Sequence, residues 1–400
     1  MSTDSTQLSQ NEAKGQRLPK AALLALSTAV FITVLTETLP AGVLPQMSAD
    51  IGVSESAMGQ VVTIYAIGTA LTAIPLSAAT AGWRRKRLLL TAMGGFALAN
   101  TVTAFSGDYL LIMVARFVAG VAAGLAWAML VGYARRLAPD HLQGKAIALV
   151  MAGIPVALSL GVPAGTFIGT YVGWRVTFTL MSLLALVVIG WILLLAPERS
   201  GQHPEGRTSV LRALTIPGVV PVLIVTLVFV LAHTILYTYI ATFLDGVGMG
   251  KAVGFALLLF GGASLVSIWF VGNFIDRRLR ALTIASVILV AVAAAMLAVL
   301  AGIPALVYVA VLLWGLGWGG VPTLLQTAAT DAGGDPAQAM LVTLWNGAMA
   351  GGGVIGGILL DMLGTTSFPW SVLLLLVPVL VVVVAARSHG FPVKYPTSTS

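Results

Sequence analysis

The sequence contains no cysteine, which excludes a disulfide framework, a zinc ribbon and thiol chemistry. Charge is scarce as well. Asp, Glu, Lys and Arg make up 9% of the 400 residues, against about 25% in ordinary globular chains. Too few polar side chains remain to cover a water-facing surface. No G-x-x-x-x-G-K-[ST] stretch occurs, so the chain has no phosphate loop with which to drive a pump by ATP. H-E-x-x-H is missing too, and His141, His203, His233 and His389 are far apart in sequence, so no metal site is expected.

What the chain does have is apolar length. Hydrophobic residues make up 58% and the mean hydropathy is +0.99. Runs of about 20 residues, enough to cross a hydrocarbon core of ~30 Å, recur along nearly the whole chain. Twelve spans fall near 21–45, 56–79, 88–106, 109–134, 143–172, 175–196, 217–244, 252–274, 281–301, 304–328, 337–363 and 368–387. Backbone groups in lipid must be satisfied within their own segment, and the runs lack the two-residue alternation of barrel strands. An all-α integral membrane protein is therefore expected. The polar N-terminal segment, with Lys14, Arg17 and Lys20, resembles the n-region of a signal peptide. The run that follows is much longer than a signal's apolar region, so it is expected to be a retained first span.

The cations set the orientation. With the N-terminus inside, 18 of the 21 Lys and Arg residues fall on the cytoplasmic side. Only Arg175 and Lys251 fall outside, and Arg116 lies within a span. Both termini are thus expected to be cytoplasmic. The net charge of +7 reports topology, and nucleic-acid binding is not expected.

An internal repeat divides the chain. The cluster Arg84-Arg85-Lys86-Arg87 follows span 2, and Asp276-Arg277-Arg278-Leu279-Arg280 follows span 8. Spans 5 and 11 are both rich in glycine. Two six-helix halves in parallel repeat place a solute cavity between them near the midplane. The expected organisation is a tail (1–20), a first half (21–196), a linker (197–216), a second half (217–387) and a second tail (388–400).

Glu37, in Thr36-Glu37-Thr38-Leu39-Pro40, is the only acid well inside a span. A carboxylate withdrawn from water favours its neutral form, so this position suits a proton carrier. Arg116 is its natural partner by depth. Glu37 lies about 25 Å above Lys20, and Arg116 about 12 Å below Asp108, so the two levels coincide in a span of ~36 Å. A charge pair between them is expected. Gly161, Gly165, Gly169 and Gly173 form one smooth face of span 5, and Pro163 permits a bend. Gly161, Pro163 and Gly165 are therefore the expected moving parts. Polar and aromatic groups within other spans could contact a solute: Tyr65, Trp127, His233, Tyr237, Tyr239, Gln326, Trp345 and Asn346. His233 also offers a second site for a proton.

In these stretches the sequence resembles the major facilitator superfamily over nearly its whole length. Within that superfamily it looks like the twelve-span drug:proton antiporters of the bacterial sugar-efflux and chloramphenicol-exporter branch. Thr36-Glu37 followed by Leu39-Pro40-Ala41-Gly42-Val43-Leu44-Pro45 resembles that branch's first span, and Thr63-Ile64-Tyr65-Ala66 its second. Arg116-x-x-x-Gly120-x-x-x-Gly124 resembles the family's proton-relay motif. Gly161-Val162-Pro163-Ala164-Gly165 is similar to its antiporter motif, and Ala232-His233 with Tyr237-x-Tyr239 to the seventh span of the sugar-efflux branch. One motif departs. In the loop between spans 2 and 3, Ser77, Ala81 and Gly82 stand where the family has Gly, Asp and Arg. The second copy keeps Gly272 with Asp276-Arg277, which the resemblance marks as a cytoplasmic latch.

The resemblance implies a proton-coupled exporter of small organic solutes, sugars or drugs, in the bacterial inner membrane. Its partners would be the solute, protons and the lipid bilayer. It would work as a monomer, without a cofactor and without enzymatic activity. An importer of sugars or nucleosides is the nearest alternative, and a membrane enzyme or sensor is more distant.

Overall fold

The computed structural model describes residues 18–80, 82–139, 142–200, 214–387 and 389–391. Every regular element among them is helical. The first half contains α1 (Lys20–Ile51), α2 (Glu55–Ala79), α3 (Arg85–Phe105), α4 (Tyr109–Leu137), α5 (Gln143–Met151), α6 (Gly153–Val156), α7 (Val162–Ile168) and α8 (Trp174–Leu195). The second contains α9 (Val219–Thr238), α10 (Ile240–Gly246), α11 (Val253–Val299), α12 (Pro304–Trp318), α13 (Val321–Leu363) and α14 (Ser367–Ala385). Ten helical stretches among the described residues are long and apolar enough to cross a membrane. One of them, Lys145–Leu195, takes in two of the expected spans, which Gly173 separates by its positive φ of 115°.

Local chemistry explains the ends. The Ser54 hydroxyl accepts from the Ala57 N–H and starts α2; the Asp108 carboxylate accepts from the Leu111 N–H at 2.7 Å and starts α4. The first helix runs six residues beyond the expected Pro45. Pro40 and Pro45 sit inside it, and it stops only where Gly52 adopts φ 75°. Pro163 has no N–H to give to the preceding turn, and that turn, Ala157–Gly161, is a wider π-helix.

The surface is a belt of large apolar side chains, including Phe105, Leu110, Leu194, Met362 and Leu374. A water-soluble protein would not expose so much. Lipid would cover it.

The cores reveal an asymmetry between the two ends. One buried cluster belongs to the first half alone, with Leu23, Leu26, Met93, Phe96, Met129 and Tyr133. The other holds the second half together with Leu39, Val43, Met47, Met58 and Phe178 of the first. The halves therefore share a core at the end away from the linker. At the linker end, cations cap helix ends in both halves. The Lys86 ammonium donates to the Leu193 carbonyl at 2.8 Å, and the Arg280 guanidinium to the Val384 carbonyl at 2.7 Å. Arg84 and Arg87 also reach Glu198, at 3.2 and 3.9 Å. The degraded loop motif thus has a counter-ion in the first residues of the linker.

Candidate functional site

Glu37 lies midway along α1, half-buried. Its neighbour Thr36 is fully buried and accepts a hydrogen bond from the Asn100 amide of α3 at 3.2 Å. On α2, the Tyr65 hydroxyl donates to the Thr33 carbonyl at 3.3 Å. Glycine brings α4 close by. A methyl group at Gly120 would lie 2.1 Å from the Tyr65 carbonyl oxygen, and one at Gly68 would lie 2.6 Å from that of Phe117. The Thr69 hydroxyl, 3.0 Å from the Gly120 carbonyl, closes this crossing.

This crossing places Arg116. Its side chain is completely buried, and its guanidinium carbon lies 4.9 Å from the centre of the Tyr65 ring. Nε donates to the Val61 carbonyl at 3.4 Å, while Nη1 and Nη2 have no partner among the described residues. The expected charge pair is absent. No salt bridge joins Glu37 to Arg116, although the two lie within each other's electrostatic reach. The guanidinium lies over the Tyr65 ring instead.

The second half presents an aromatic stack to this region. The His233 ring lies face to face with Trp318, their centres 3.6 Å apart and their planes 5° from parallel. Its Nδ1 accepts the Trp314 indole N–H at 3.2 Å. Indole can only donate, so Nδ1 carries no proton and the ring is held in its neutral tautomer. The expectation of His233 as a second proton site is therefore corrected. Tyr237 stacks on His233 at 5.2 Å and approaches Phe260 at 5.7 Å. Its hydroxyl lies near Thr38 of α1, in the field of Glu37. Trp345 stands 5.9 Å from Trp318.

The other expected contacts lie elsewhere. Trp127 packs into the core of the first half. Gln326 is exposed, and its own carbonyl is occupied by Gln338 at 2.8 Å. The Asn346 amide donates to the Val342 carbonyl of its own helix at 2.9 Å. Gly161 faces Phe31, Gly165 faces Leu39 and Gly169 faces Val43, so the glycine face packs on α1 within its own half. Arg277 is exposed next to a break at Arg278, and the Asp276 side chain lies outside the described set. Trp314, Trp318, Phe260 and Asn100 escaped the sequence reading. Trp314-Gly315-Leu316-Gly317-Trp318, with two indoles one helical turn apart among glycines, was the available signal.

Residues 26–357 match the model of the Major Facilitator Superfamily. The chain belongs to that family. It is a multi-pass membrane transporter, carrying small molecules across the bilayer in which it sits. It is 29% identical over 394 residues to the Pseudomonas aeruginosa protein named transcription regulatory protein OpdE, covering 95% of this chain and 97% of that one. Among solved structures it resembles the nucleoside transporter NupG, with a TM-score of 0.72 and 13% identity over 93% of this chain and all of the other. It also resembles the human organic anion transporter MFSD10 (TETRAN), with a TM-score of 0.66 and 14% identity over 92% of this chain and all of the other. At such identities these two likenesses concern the fold alone.

Proposed function

We propose that this transporter is a proton-coupled exporter of small organic solutes in the bacterial inner membrane, working by alternating access as a monomer. Twelve spans in two halves, 21–196 and 217–387, joined by the 197–216 linker, keep both tails (1–20 and 388–400) in the cytoplasm. Ten apolar stretches support that count once Lys145–Leu195 is divided at Gly173 and Glu55–Ala79 is added. The linker end then faces the cytoplasm, in keeping with its cations, and the shared core closes the outer end.

The observation that carries this reading is the half-buried Glu37 carboxylate where the halves meet, with Tyr65 and Arg116 on one side and Tyr237 on the other. A proton taken up there from outside neutralises the acid and releases the solute; its loss to the cytoplasm restores the solute-binding state. Arg116 acts on Glu37 through its field, from its seat on Tyr65. The proton gradient is the energy source, and no cofactor takes part. Solute contacts come from His233, Tyr237 and Trp345, of which Tyr237 lies in the field of Glu37. Gly161, Pro163 and Gly165 let α7 shift against α1. Asp276-Arg277 serves as the cytoplasmic latch of the second half.

The test uses inside-out membrane vesicles with an imposed proton gradient and a pH-sensitive dye, challenged with panels of sugars, amphenicols and nucleosides. An exported solute discharges the gradient as it accumulates in the vesicle lumen. Uptake seen only in right-side-out vesicles would make the protein an importer.

A further inference from the structure

Helix α9 stops at Thr238 and α10 begins at Ile240. Tyr239, between them, has φ −109° and ψ 21°, outside the helical range. The break thus falls between the aromatic stack at His233 and Tyr237 and the outer end of the second half. Its side chain is fully buried and stacks on Phe368 at 5.4 Å, 17° from parallel.

The Tyr239 hydroxyl sits where the two halves touch. It donates to the Gly353 carbonyl of α13 at 3.0 Å and lies 3.4 Å from the Ser56 carbonyl of α2. It accepts from the Gln60 amide of α2 at 3.5 Å. Three glycines make room for it. A methyl group at Gly59 of α2 would lie 2.1 Å from the hydroxyl oxygen, and one at Gly357 of α13 would lie 2.9 Å from it. One at Gly356 would lie 2.6 Å from the ring. Bonds across the seam surround the slot. The Gln60 amide donates to the Gly353 carbonyl at 3.3 Å, the Thr63 hydroxyl to the Ala350 carbonyl at 3.4 Å, and the Thr242 hydroxyl to the Glu55 carboxylate.

We propose that Tyr239 is the bolt of the outer gate: a positioning residue whose hydroxyl, seated in the slot of Gly59, Gly356 and Gly357, holds the outer ends of the halves together and withdraws when the outer side opens. The inference rests on the alternating-access reading. Tyr237, two residues earlier, lies near Thr38 and in the field of Glu37. The break therefore sits within one helical turn of a side chain that faces the carboxylate. A slot lined by glycine admits the ring without a side chain in its path, so the ring and its hydroxyl add a directional contact to the apolar core that the halves share at the outer end.

The absence of native cysteine makes the test direct, because a single introduced thiol reports its own surroundings. Ala241, just past the break, is 1% exposed. With Ala241→Cys in right-side-out vesicles, a membrane-impermeant maleimide added outside should react slowly. Tyr239→Phe keeps the ring and its stacking but removes the hydroxyl. It should speed the reaction about fivefold, the shift expected from losing one hydrogen bond of about 1 kcal/mol. Gly59→Ala should do the same by filling the slot, while the exposed control Gly107→Cys keeps its rate. A short bifunctional thiol reagent should also bridge Glu55→Cys and Thr242→Cys less completely in either background. Unchanged Ala241→Cys labelling and unchanged bridging in both backgrounds would overturn the proposal. Labelling requires neither proton nor solute, so a failure of Glu37 as proton carrier leaves this result readable on its own.

Discussion

The guanidinium of Arg116 rests 4.9 Å from the centre of the Tyr65 ring, with two of its nitrogens unbonded and no salt bridge to Glu37. A buried cation in that position is costly, so its retention calls for a function. Its charge, acting on Glu37 through space, supplies one. Arg116→Met keeps length and apolar volume but removes the charge, and should abolish gradient-driven transport while the protein stays folded. Arg116→Lys keeps the charge, loses the planar stack on Tyr65, and should retain part of the activity. Transport by the Met variant at the rate of the parent would reduce Arg116 to a packing role.

The Trp314 indole donates to His233 Nδ1, and Phe at 314 would leave that nitrogen unpaired inside an aromatic stack. Trp314→Phe should lower stability by about 1–3 kcal/mol, seen as a lower melting temperature in detergent. His233→Phe keeps a ring against Trp318 but leaves the buried Trp314 N–H unpaired, so it should cost a similar amount. The double variant Trp314→Phe/His233→Phe, which removes both partners, should cost less than the sum of the two, and simple additivity would show that the N–H bond does not organise the stack.

Two glycines that look alike in sequence differ in their surroundings. A methyl group at Gly165 would meet the tip of the Leu39 side chain at 2.6 Å, whereas one at Gly153 would meet the Ser27 carbonyl oxygen at 2.2 Å. A side-chain tip can rotate away; backbone cannot. Gly153→Ala should therefore reduce folded yield more than Gly165→Ala. Gly165→Leu should assemble poorly or not transport, because it wedges α7 away from α1. Fluorescence-detected gel filtration of the three variants ranks them.

The helices were legible because each apolar run is long and interrupted by polar or glycine-rich turns, and because lipid leaves the backbone no other choice. The end of α1 was misjudged at Pro45, since a proline inside a long membrane helix does not end it when neighbouring helices support the bend. Glu37, Tyr65 and Tyr237 could be singled out as polar groups within apolar runs. Their relation to Arg116 could not, because sequence depth gives height along a span and says nothing about which way a side chain points. The stack of His233 on Trp318 joins α9 to α12, and the anchoring of Thr36 by Asn100 joins α1 to α3. Such partners come from packing between helices far apart in sequence, which periodicity within one helix does not encode.

Glu37→Gln is the most direct probe of the central claim, because the amide preserves shape and hydrogen bonding while removing the exchangeable proton. In proteoliposomes, with a solute identified by the vesicle screen, the decisive measurement compares solute counterflow without a gradient to transport driven by an imposed pH gradient. The account predicts that the variant keeps counterflow near the parent level and loses gradient-driven accumulation. Gradient-driven accumulation at the parent rate would contradict it, and would remove Glu37 as the residue that couples the proton to transport.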